Sequence, residues 1–277
     1  MGNASLLERA LRRDRAIVVA GLLAVVVLAW LELLREVAAM AGTTATMPGM
    51  AMEGMTMGDM AMPGMAIPVA AVWSTSHALA IGAMWAVMMA AMMLPAASPM
   101  ILFYTRIAGQ RGATRSASVA TAVFVLGYLA VWAFFSIGAA ALQLAFERYA
   151  LISPAMRTTS TVLAGLVLVA AGVYQFTPAK RACLRHCRSP LEFVMLHWQP
   201  GARGAFAMGV RHGAYCVGCC WLLMLLLFVG GVMNVAWIAG IALYVLVEKT
   251  VPAGHWVSRA AGVVLVLAGA ATLLALA

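Results

Sequence analysis

The chain alternates long apolar runs with short charged breaks. Apolar stretches cover about 16–34, 78–103, 118–145, 158–176, a fifth run containing 215–229, a sixth at 233–248 and a last at 257–277. Several reach the roughly 20 residues that carry a helix across a bilayer. The pattern therefore predicts an all-α, polytopic membrane protein with about seven spans. Gly230-Gly231 breaks the fifth run from the sixth, and Gly209 and Gly213 predict a kink before it. The sixth run is short, so the fifth and sixth form either two spans or one re-entrant hairpin.

Charge and composition sharpen this picture. Apolar residues make up 65% of the chain and charged ones 10%, which excludes an ordinary soluble domain. The 18 Lys and Arg outnumber nine acidic residues. In such a chain that excess sets orientation and contact with anionic lipid, so nucleic acid is not an expected partner. With the N-terminus inside, 15 of these 18 cations fall in cytoplasmic segments and only Arg35, Arg148 and Arg157 outside. That bias predicts a multi-pass membrane protein with a cytoplasmic N-terminus and an outer C-terminus.

Three regions follow. Residues 1–35 read as a signal-anchor span. Ala39-Met40-Ala41 mimics a cleavage site, but Glu32, Arg35 and Glu36 separate it from the apolar run, so the anchor is expected to stay uncleaved. Residues 36–76 form an extracytoplasmic linker holding Met50, Met52, Met55, Met57, Met60 and Met62, with further methionines at 47 and 65. Its Gly, Pro, Thr and Asp keep it from packing, so it is expected to be disordered alone. Residues 77–277 form the helical membrane domain, with a cytoplasmic cysteine loop at 178–203.

Twenty-one methionines and five cysteines carry the candidate chemistry. Thioethers in a flexible segment suit Cu(I) and suit Zn or Mg poorly. Met84, Met88 and Met92, with Met89 and Met93 on the adjoining row, give the second run a broad methionine face. Such a stripe is equally a packing device. His212, Cys216, Cys219 and Cys220 fall within roughly one 100° arc of a helix. Soft, reactive groups at that depth usually face a protein interior or a path. Met224 lies one turn further on. Cys183 and Cys187, at i and i+4 in the loop, resemble a metal pair more than a redox pair. Met92 or Met93 is expected to complete a thiol site, with Arg211 offsetting its charge. Glu248-Lys249 reads as an interfacial anchor, and Tyr174 and Gln175 as interface residues.

Met84-Trp85, Ala91-Met92-Met93-Leu94-Pro95 and Pro99 resemble one family signature. Cys187-Arg188-Ser189-Pro190, Trp198, His212-Gly213, Cys216-Val217-Gly218-Cys219-Cys220-Trp221, Gly231-Val232-Met233-Asn234 and Glu248-Lys249 resemble another. Together, over residues 75–250, they resemble the bacterial predicted metal-binding integral membrane proteins, a domain of unknown function. The resemblance implies metal binding in the bacterial inner membrane and no particular reaction. The methionine segment lies outside its pattern.

Three functions compete. The first is Cu(I) binding in copper uptake or delivery, with a copper chaperone or cuproenzyme as partner and Zn as the second metal. Thioethers outside and thiols inside would form a series of tightening ligands. The second is a membrane thiol-disulfide oxidoreductase, which would want cysteines on both sides; the outer segments have none. The third is an assembly or scaffold subunit with structural cysteines. No ATPase motif is present, and no catalytic residue is expected. The oligomeric state is left open.

Overall fold

The computed structural model describes residues 2–45, 74–111, 117–149, 151–152, 157–252 and 254–275, with side chains described from residue 12 and not at 40–45. The methionine linker lies outside the described residues. Among the described residues the chain is helical throughout, apart from turns and an isolated bridge between Ile152 and Thr158. The all-α expectation holds.

Helix α1 (Gly2–Ala45) runs unbroken through Glu32, Arg35 and Glu36. Helix α2 (Thr75–Gln110) starts where the Ser74 side chain accepts from the His77 N–H. It contains Pro95 and Pro99. Proline at 99 cannot donate to the carbonyl one turn back, and the Ser98 hydroxyl takes that carbonyl, Pro95 O, at 2.8 Å. The repair lets α2 pass two prolines as one helix.

Helices α3 (Ala117–Arg148) and α7 (Gly201–Leu225) pack closely. A Cβ on Gly209 would lie 2.0 Å from the Phe124 carbonyl oxygen, and one on Gly127 would lie 2.3 Å from that of Phe206. Helix α7 runs without a break across Gly209 and Gly213, where a kink is expected, and these glycines admit a neighbouring backbone. Helices α4 (Thr161–Tyr174) and α10 (Gly254–Leu274) meet the same way, through Gly165 and Gly269.

Between them lie α5 (Pro178–Arg188), α6 (Pro190–His197), the single turn α8 (Leu227–Gly230) and α9 (Val235–Thr250). Gly231, at φ 103°, makes the turn before α9, which the Asn234 side chain caps. Segment 178–203 is therefore largely two short helices rather than a loop.

Five helical stretches are long and apolar enough to cross a membrane, or six if α4 and α5, bent by 64°, count as one. This falls short of the seven expected. The reason is length: α4 has 14 residues and α9 has 16, below what a full span needs. The inner faces form one core in which α2 contributes Met88, Met89, Met92 and Met93, all fully buried.

Candidate metal centre

Helical spacing puts His212, Cys216, Cys219 and Cys220 on the buried side of α7. All three thiols are fully enclosed and all five cysteines are free. Cys219 and Cys220 turn back along their own helix, donating to the Cys216 carbonyl at 3.1 and 2.9 Å. The Cys216 sulfur interacts with the thiols of both. It accepts from Lys249 Nζ at 2.9 Å and lies 3.1 Å from the Tyr128 hydroxyl.

Helix α5 adds two more thiols. Cys187 is buried and its thiol interacts with that of Cys219, while Cys183 packs against Gly218, where a Cβ would be 2.8 Å from its sulfur. The Tyr174 hydroxyl donates to the Gly218 carbonyl, tying the end of α4 to the same turn. The two cysteine groups seen in the sequence therefore adjoin in space.

The methionines reach this place less directly. Met92, Met93 and Met224 are fully buried in the core that holds the thiols. The hydrogen-bonded link from α2 runs through the Met93 backbone: the Tyr128 hydroxyl donates to its carbonyl at 3.2 Å while touching Cys216. Met50, Met52, Met55, Met57, Met60 and Met62 lie outside the described residues. His212 sits among the rings of Phe124, Tyr128 and Phe193, and its buried Nδ1 has no partner.

The charges correct three expectations. Glu248 and Lys249 are not interfacial: both are buried. Lys180 Nζ pairs with Glu248 at 2.7 Å, and the Tyr244 and Ser258 hydroxyls donate to the same carboxylate. That leaves Lys249 directed at sulfur. Arg211 is exposed and lines a different, shallow cleft, so the cation beside the thiols is Lys249. Gln175 is buried rather than interfacial. Lys249 and Tyr128 were missed as site residues. A signal existed for Lys249, since an ionisable pair closing an apolar run marks function by default.

Among the described residues no group of three or more His, Cys, Asp or Glu side chains is arranged to hold a metal ion. The donor set nonetheless fits a soft monovalent ion. It consists of thiols, an imidazole nitrogen without a partner, and a fixed cation able to balance thiolate charge.

A family model described as copper chaperone, PpoB2, matches residues 82–272. The chain belongs to this family. The PpoB2 match takes in the methionine face of α2, the thiols of α5 and α7 and the Glu248-Lys249 pair, and it leaves out α1 and the linker. Copper-chaperone membership is consistent with copper as the metal. Neither the curated proteins nor the solved structures contain a match.

Proposed function

We propose that this chain is an inner-membrane Cu(I) carrier that takes copper from outside and delivers it toward the cytoplasm. Copper is its cargo, not a resident cofactor, and no catalytic step is assigned to it. The observation that carries the reading is the buried cluster of Cys216, Cys219, Cys220 and Cys187 with a lysine aimed at its sulfurs, in a chain of a copper-chaperone family.

Charge explains why the lysine belongs there. A thiolate cannot stay charged and unpaired in an apolar setting. Two thiolates around Cu(I) leave one negative charge, and the Lys249 ammonium cancels it. Before loading, Lys249 and Tyr128 hold Cys216 in place. The methionine linker captures metal as thioether complexes, the α2 face passes it inward, and the thiols bind it more tightly. In this reading α1, α2, α3, α7 with α8, and α10 cross the bilayer, α4 with α5 makes a bent crossing, and α9 leads from the outer side back to the inner start of α10, which leaves the C-terminus outside. Cys183 and Cys187 then lie toward the cytoplasm, where a soluble chaperone or cuproenzyme would collect the ion.

Copper accumulation tests the direction. Cells supplied with trace radiocopper should accumulate more with the wild-type chain than with Cys216→Ser/Cys219→Ser. Less accumulation with the wild type would make it an exporter.

A further inference from the structure

Helix α5 carries Arg181, Arg185 and Arg188 at i, i+4 and i+7, along one side. With the start of α10, that side bounds a cavity of about 540 Å³ whose lining includes Gln175, His255 and Arg259. Two helix N-termini, those of α5 at Pro178 and α10 at Gly254, border it, each bringing positive dipole.

The positive charge is largely uncompensated. Lys180 is spent on Glu248, and Arg185 has Glu192 at 3.6 Å. Among the described residues Arg188 donates to the Val251 and Pro252 carbonyls, and Arg259 lies 5.3 Å from the Trp256 ring centroid. Among the described residues no carboxylate pairs with Arg181, Arg188 or Arg259.

Gln175 supplies a second, independent sign of a ligand. It is 2% exposed, and neither its Oε1 nor its Nε2 has a partner. Buried amides are normally satisfied. An anion in the cavity would accept from Nε2, and a hydroxyl on the same ligand would donate to Oε1.

The geometry points to a phosphate-anion site, occupied by the headgroup of an anionic phospholipid bearing a hydroxyl, such as a glycerol headgroup. Phosphate matches the arginine forks. The lipid source is favoured by α6, which follows α5 directly and exposes Leu191, Met195 and Leu196 at 61, 63 and 67%. That side suits acyl chains. The lipid source rests on the membrane reading given above; the anion site does not. The cavity's lining includes Lys180 and Ser258, which hold Glu248, and the next residue contacts Cys216. A bound headgroup therefore steadies the charge layer beneath the thiols.

The test is thermal unfolding of the full chain in neutral detergent. Phosphatidylglycerol, phosphatidylcholine, inorganic phosphate and polyglutamate are added separately, and Cu(I) loading is measured on the same samples. Phosphatidylglycerol should raise the midpoint by several degrees while phosphatidylcholine does not. Arg181→Gln/Arg259→Gln should lose most of that rise, and Arg203→Gln, exposed and outside the cavity, should keep it. Inorganic phosphate reproducing the full rise would keep the anion site and overturn the lipid source. A rise with polyglutamate alone would assign the cavity to an acidic peptide and overturn the proposal. No rise with any anion, or an equal rise in the double variant, would overturn it too. Copper loss with the lipid rise intact would count against the copper reading alone.

Discussion

At the scale of single residues, Lys249 separates a copper site from a mere cluster of packed cysteines. A buried ammonium facing sulfur is costly unless that sulfur carries charge. Lys249→Met keeps length and apolarity and removes the cation, so a copper-loaded pair of thiolates would be left with uncompensated charge. Competition with a Cu(I) chelator should show at least about tenfold weaker binding, equivalent to ~1.4 kcal/mol. Unchanged affinity would mean the lysine is structural. Lys180→Met acts elsewhere: it strands Glu248, fully buried, and should destabilise the fold by about 3–5 kcal/mol in chemical unfolding. The cysteines of α7 were legible as one face because helical spacing alone places them. Lys249 was legible only as half of an ionisable pair; its aim at sulfur was not, because that depends on Lys180, far away in sequence, having already taken Glu248.

Among elements, α3 and α7 depend on backbone contact. Gly209→Ala would drive a methyl into the Phe124 carbonyl and should abolish a folded, monodisperse protein. Gly240→Ala, where nothing lies within 4 Å, should leave the melting midpoint unchanged or slightly raised. Equal behaviour of the two variants would refute the close packing. The methionine face of α2 was readable from its spacing. The contact role of the α7 glycines was not, since glycine reads alike as a kink or as a contact until the partner helix is known. The joining of Cys187 to Cys219 was equally hidden: it depends on the 64° bend that lays α5 against α7.

For the whole molecule, the charge asymmetry along the chain remains the ground for topology. A reporter fused at residue 55 should read as extracytoplasmic, and one at residue 188 as cytoplasmic; the reverse would invert the proposed flow of copper. The all-α class was evident from the length of the apolar runs, while the number of crossings was overcounted because α4 and α9 are too short to span alone. The linker's methionines feed the site in this account and do not form it. The most direct measurement is therefore the copper content of purified full-length chain reconstituted with Cu(I), compared with Cys216→Ser/Cys219→Ser/Cys220→Ser and with a deletion of residues 43–66. The account predicts stoichiometric copper in the wild type, copper retained in the membrane domain of the deletion, and none in the membrane domain of the triple variant. Stoichiometric copper in the triple variant, with the linker deleted as well, would contradict it.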